Sequence, residues 1–192
     1  GALVAIDPAT GGVLAFVSKP GFDPNLFVDG IDVENWKELN ESIDKPMVNR
    51  ALAGTYPPGS TFKPFMALAA LTSGKRRPEQ AIHDPGGFNF GGHFFRDDKV
   101  GGHGMVDMYK SLVVSCDTYY YLLANDLGID NISTFVRQFG FGTRTGIDIT
   151  GESAGILPSQ EWKMKRFRQK WYAGETISVG IGQGYNSYTP LQ

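Results

Sequence analysis

The chain has 192 residues, with 18 lysines and arginines against 20 aspartates and glutamates, a net charge of −2. That near balance leaves no electrostatic basis for binding nucleic acid or an anionic membrane, and no apolar run approaches the roughly 20 residues that span a bilayer. With 41% apolar residues, the length suffices for one domain with a sizeable core, and the single cysteine, Cys116, excludes an intrachain disulfide.

The first predicted element is a hairpin. Two alternating apolar runs, Leu3 to Ile6 and Val13 to Val17, flank a turn of Asp, Pro, Thr and Gly. "VENWKEL" predicts one or two helical turns. "STFKPFMALAALTSG" predicts a buried helix that stops at Gly74. "GFNFGGHFF" predicts a tight hairpin around Gly91 and Gly92. The pattern turns helical at "MVDMYKSLVV", breaks at "SCD", and resumes in "TYYYLLANDLG", with Asp117 as N-cap and Gly128 as stop. "DNISTFVRQFG" predicts a short helix between Asp130 and Gly140. "TGIDI" predicts a strand, "ETISVGIGQG" a strand running into a glycine turn, and "YTPLQ" a helix start.

The stretch "GTYPPGSTFKPF" carries the first chemical signal. Proline lacks the N–H that would bond the carbonyl four residues back, so Pro64 belongs in the first helical turn and Ser60 at the helix N-terminus. Residues three apart share a helix face, with roughly 5–6 Å between their Cβ atoms. Lys63 is therefore expected to reach the Ser60 hydroxyl. A serine is a poor nucleophile until a base takes its proton, and burial beside other positive charge makes a lysine amine such a base. The helix N-terminus pushes the same way, and the Ser60 N–H is a candidate oxyanion donor. The plainer alternative makes Ser60 a cap and Lys63 a solvated side chain. The helix after Lys63 is too apolar for a surface helix, which favours a half-buried lysine.

"SCD", Ser115 to Asp117, sits in the break between two helical patterns. S-x-x-K followed by S-x-N and then K-T-G is the signature of penicillin-binding proteins and related β-lactamases. "YPPGSTFKP", "SCDTYYYLLANDLG", "FGFGTRTGIDITGESAGILP" and "VGIGQGYNSYTPLQ" resemble class B penicillin-binding proteins, in order and across the whole chain. The likeness is to the elongation-type subgroup, penicillin-binding protein 2. There Asp117 replaces the usual asparagine of the second box. A carboxylate can only accept hydrogen bonds, so Asp117 is free to pair with Lys63. No K-T-G or K-S-G occurs.

The resemblance implies an α+β transpeptidase fold, an antiparallel sheet with packed helices. It implies that residues 1–192 are a partial transpeptidase domain without the third-box strand and C-terminal helix. It further implies a peptidoglycan D,D-transpeptidase of cell-wall elongation, acting on stem peptides and acylated by β-lactams, and inactive or severely weakened as this piece alone. Ser60 would be the nucleophile, Lys63 the base and Ser115 a proton relay, with no cofactor required for catalysis. The implied setting is the periplasmic domain of an inner-membrane protein, beside a membrane glycosyltransferase and other elongation-complex proteins. A serine β-lactamase or a non-catalytic β-lactam sensor would share the first box.

The loop-rich middle holds all three histidines, His83, His93 and His103, together with Asp84, Asp97 and Asp98. Zinc takes four N, S or O ligands from such residues. The expected set for a structural zinc is Asp84, Asp97, His103 and Cys116, with His83 the replacement for Asp84. The subgroup resemblance implies members with a metal near this position. Without compact C-x-x-C or H-x-x-x-H spacing, the alternative is that these side chains only decorate a loop.

Overall fold

A computed structural model describes residues 1–192, which group into two compact units. The first comprises residues 1–56, 143–155 and 188–192. Its opening hairpin pairs β1 (Ala2–Ile6) antiparallel to β2 (Val13–Ser18), with Ala2 opposite Ser18 and a register shift after Ala5. Asp7 closes the turn by accepting from the Ala9 N–H and the Thr10 hydroxyl. Helix α1 (Val33–Glu41) begins where Asp32 accepts from the Asn35 N–H. It is longer than the one or two turns expected.

"TGIDI" is not a strand; residues 143–152 form a turn-rich loop organised by Glu152. The carboxylate of this 7%-exposed residue accepts from the Thr145 N–H and hydroxyl and the Gly146 N–H. Alternation of apolar and polar residues mimicked a strand, but the glycines and this acceptor offer the backbone a local partner instead. Burial opposes ionisation of Glu152, yet the Thr145 and Gly146 hydrogen bonds outweigh it and hold its carboxyl below the usual range. A depressed folded pKa adds stability that is fully present above the ordinary glutamate value of about 4.3 and is lost as pH falls from there through the lower folded value. Glu152→Gln will therefore flatten the loss of urea stability between neutral and acidic pH. An unchanged slope would show that the loop does not depend on the carboxylate.

The second unit comprises residues 57–142 and 156–187. Gly59–Phe62 make a turn of 3₁₀ helix that runs directly into α2 (Lys63–Thr72). The Lys63 N–H bonds the Ser60 carbonyl, and Pro64 sits in the first turn, where its missing donor costs nothing. Four short strands form two separate antiparallel pairs. β3 (Ile82–Asp84) pairs with β6 (Gly104–Val106), and β4 (Gly87–Phe90) pairs with β5 (His93–Arg96) around the expected Gly91–Gly92 turn.

Helix α3 (Met108–Val113) precedes the break at Ser115, and α4 (Asp117–Arg137) follows it. Cys116, not Asp117, is the N-cap of α4: its sulfur accepts from the Tyr119 N–H, and Asp117 is the first helical residue. Gly128 interrupts the helix with φ 74° and ψ 157°, as its stop signal predicted, but helical turns resume at once. α4 packs against α2 and against α6 (Ala173–Val179). Phe62, Met66, Ala70, Tyr119, Tyr120, Leu123, Ile132, Ile177 and Val179 are fully buried in this unit.

Helix α6 replaces the strand expected from "ETISV". Its β-branched residues suit a strand, but Glu175 closes a capping box with the backbone of Tyr172, and burial of Thr176, Ile177 and Val179 overrides the local preference. Helix α5 (Gln160–Phe167) was not anticipated, although Ser159 caps it and Lys165 and Arg166 lie in its last turn. No helix is long and apolar enough to cross a membrane.

Candidate active site and an adjoining acidic cluster

Four polar side chains from the two boxes converge within the second unit. Ser60 is exposed on its 3₁₀ turn, and Lys63, one turn on, is buried at 1% exposure. The Lys63 Nζ does not bond Ser60 directly. It donates to the Ser115 carbonyl at 2.6 Å, contacts the Ser115 Oγ at 2.9 Å, and pairs with Asp117 Oδ1 at 2.6 Å. The Ser115 Oγ in turn lies 2.9 Å from the Ser60 Oγ. The expected link between Lys63 and Ser60 thus runs through Ser115. The break between α3 and α4 explains why: Ser115 has φ +54°, a left-handed conformation that a serine rarely adopts. It is held there by Cys116 N–H bonding the Ser111 carbonyl and by Lys63 on its own carbonyl. Strained backbone of this kind collects at functional sites.

Behind Ser115 lies a second cluster. Donor atoms of Asp84, Asp97, His103 and Cys116 all fall within 4.8 Å of one another. Both carboxylates and the thiol are buried. His103 Nδ1 is 2.9 Å from Asp84 Oδ2 and 3.3 Å from Asp97 Oδ1, and the Cys116 sulfur is 3.5 and 3.4 Å from the same two carboxylates. Tetrahedral zinc ligands with the usual bond lengths stand about 3.3 Å apart for N and O and about 3.5 Å for S and O. The donor set therefore fits such an ion in chemistry, and these four contacts lie near that spacing, within a cluster whose donor atoms all fall within 4.8 Å. His83 is exposed on β3, and His93 is exposed on β5 beside Phe95.

The cluster is built by its loops. Gly86 N–H bonds Asp84 Oδ1, His103 N–H bonds Asp84 Oδ2, and Thr118 N–H bonds Asp97 Oδ2. Gly102, at φ +76°, passes so close to the Asp84 carbonyl that a Cβ there would lie 2.2 Å from its oxygen. Burial resists ionisation of Asp97, but hydrogen bonds from Asp98 and the Thr118 and Lys99 N–H groups bring its pKa down to about 2. Asp98 moves the opposite way, raised first by its hydrogen bond to Asp97. Burial pushes the Cys116 thiol up, and the neighbouring Asp97 and Asp84 charges add to the effect. A divalent cation reverses that logic by favouring the thiolate.

An exposed serine linked through Ser115 to a buried lysine one turn further on, inside a helical and short-stranded α+β unit, is the arrangement expected of active-site-serine proteins. Within that class, the chain belongs to the family described as the Penicillin binding protein transpeptidase domain, which matches residues 1–192. It is 54% identical, over its whole length, to peptidoglycan D,D-transpeptidase MrdA of Acinetobacter baumannii, of which it covers 29%. It superimposes on Pseudomonas aeruginosa PBP2 in complex with WCK 5153 with a TM-score of 0.94 at 49% identity, covering 44% of that chain. Against Helicobacter pylori PBP2 in its complex with MreC the TM-score is 0.96 at 38% identity, with 36% of that chain covered. In both superpositions all of the present chain is matched. The chain thus spans less than a third of its curated relative.

Proposed function

We propose that this chain is the nucleophile-bearing part of an elongation-type peptidoglycan D,D-transpeptidase. Ser60 Oγ attacks the carbonyl of a D-Ala–D-Ala bond in a donor stem peptide and forms an ester. Its proton passes to the Ser115 Oγ, while Ser115 passes its own to the Lys63 amine, and the proton returns by the same route to the departing D-alanine amine. An amine of a second stem peptide then takes the acyl group. β-Lactams acylate the same hydroxyl. Asp117 orients Lys63, and the Ser60 N–H offers one donor to the oxyanion. The observation that carries the proposal is the unbroken contact from Ser60 Oγ through Ser115 Oγ to a buried Lys63 Nζ.

The setting proposed is the periplasmic face of a membrane-anchored protein, working with elongation-complex partners; the PBP2–MreC complex of Helicobacter pylori supports the partner reading. Asp84, Asp97, His103 and Cys116 would hold a structural zinc. Such an ion would neutralise the buried carboxylates and thiolate and stiffen the turn that presents Ser115. No step of acyl transfer is assigned to it.

Mass spectrometry after exposure to a fluorescent penicillin tests the nucleophile. In the full-length protein one adduct is expected, on the peptide containing Ser60, and none in a Ser60→Ala variant. The 192-residue chain alone is expected to label little or not at all. An adduct elsewhere, or one that survives Ser60→Ala, would refute the assignment. Rapid release of hydrolysed penicillin would instead favour a β-lactamase.

A further inference from the structure

Two charged side chains outside the proton path are held together beneath α6. Lys163, on α5, is 1% exposed, and its Nζ lies 2.5 and 2.6 Å from the two carboxylate oxygens of Glu175 on α6. Rings of Tyr172, Trp171 and Tyr185 surround the ammonium at 4.6, 5.9 and 6.0 Å. A buried ion pair contributes little net stability against an apolar replacement, but removing one partner strands a charge. What distinguishes this pair is the rest of Glu175's bonding. Its Oε2 also accepts from the Tyr172 N–H at 2.9 Å, and its Oε1 from the Tyr185 hydroxyl at 3.2 Å.

One carboxylate therefore grips both ends of the segment from Tyr172 to Tyr185. Near its C-terminal end that segment is pressed against the nucleophile's turn. The Gly182 carbonyl accepts from the Gly59 N–H at 3.0 Å, immediately before Ser60. Gly182 has φ +71°, and a Cβ on it would lie 2.2 Å from the Gly59 oxygen and 2.8 Å from Phe62 Cβ. Backbone touches backbone there, with no side chain to absorb a shift.

We propose that Lys163 and Glu175 are positioning residues for Ser60: their ion pair fixes the turn after α6, and Gly182 passes that placement to Gly59 and the serine. The proposal rests on Ser60 being the nucleophile. Misplacing a reacting group by about 1 Å can cost on the order of 10²-fold in rate, so a partial loosening is expected to cost ~10-fold.

Stopped-flow acylation of the full-length protein by a fluorescent penicillin, resolved into non-covalent affinity and acylation rate constant, supplies the test. Each variant is measured at a temperature where circular dichroism shows it folded. Glu175→Gln strands the Lys163 ammonium and is expected to lower the rate constant ~10-fold while affinity stays within about twofold. Adding Lys163→Met to Glu175→Gln removes the stranded charge but leaves the ion pair missing, so the rate constant is expected to stay ~10-fold down; recovery to within about threefold of the parent would assign the loss to the buried charge alone and overturn the proposal. Tyr185→Phe, which keeps the ion pair and the fold, is expected to lower the rate about twofold to threefold by releasing one end of the segment. A pair that served folding alone would shift melting temperature and leave the acylation rate constant of folded protein unchanged; that result in Glu175→Gln or Tyr185→Phe overturns the proposal. Absence of any adduct on Ser60 in the parent protein is a different outcome, since it removes the nucleophile assignment itself.

Discussion

Replacing Lys63 with methionine will lower the rate of Ser60 acylation by about 10³-fold in the full-length protein, with little change in the affinity of the non-covalent complex. A positioned general base contributes about 10²–10⁴ in rate, and 10³ corresponds to about 4 kcal/mol of barrier. Methionine is close to lysine in length and unbranched, so it can fill the buried site without a large cavity. The loss falls on the rate constant because Nζ touches Ser115 and Asp117 rather than the exposed face of Ser60, the side from which the proposed substrate would approach. Asp117, left without its cation, has a 19%-exposed side chain and can be reached by water. The measurement is the same stopped-flow acylation, with circular dichroism to establish folding. A folded Lys63→Met protein that loses less than about tenfold would show that the proton released through Ser115 ends on some other group.

If the acidic cluster holds zinc as proposed, stripping the ion will lower the melting temperature by about 10 °C, and Cys116→Ser will reproduce the fall. An ion present at about 1,000 times its dissociation constant adds about 4 kcal/mol, and each kcal/mol moves the midpoint of a domain of this size by about 2–4 °C. The structural reason is the crowding of two buried carboxylates and a thiol within 4.8 Å, which a cation relieves. Because Cys116 adjoins Ser115 and caps α4, penicillin acylation should fall with the metal. Metal analysis of purified protein decides the matter directly: one zinc per chain is expected in the parent and a small fraction of that in Cys116→Ser. Equal and negligible zinc in both would dispose of the site. Stripping by chelator without a change in melting temperature would leave the ion no structural role.

Much of this chemistry was legible because it is local. Ser60 and Lys63 are brought near each other by three residues of spacing and by one proline that marks the first turn, both visible in "STFKP". What spacing could not supply was Ser115 standing between them, because that depends on a left-handed serine and the packing of α4 against α2. The members of the acidic cluster could be named from their chemistry, as residue types able to hold zinc, but that they converge depends on loops folded back by β3 and β6. "ETISV" misled because β-branched residues report a preference of the backbone, whereas burial and a glutamate at the third helical position determined the outcome. The α5 signals were ordinary capping signals in a stretch whose tryptophan and basic residues conceal any apolar face.

Lys63 has three neighbours and, as a cation, three hydrogens, one for each. Once neutral it keeps two hydrogens for the Ser115 carbonyl and Asp117, and its lone pair then faces the Ser115 hydroxyl. The same tripod can thus hold the charged and the uncharged amine with no rotamer change, so the proposed proton path asks of Lys63 nothing beyond rotation of the neighbouring Ser115 hydroxyl.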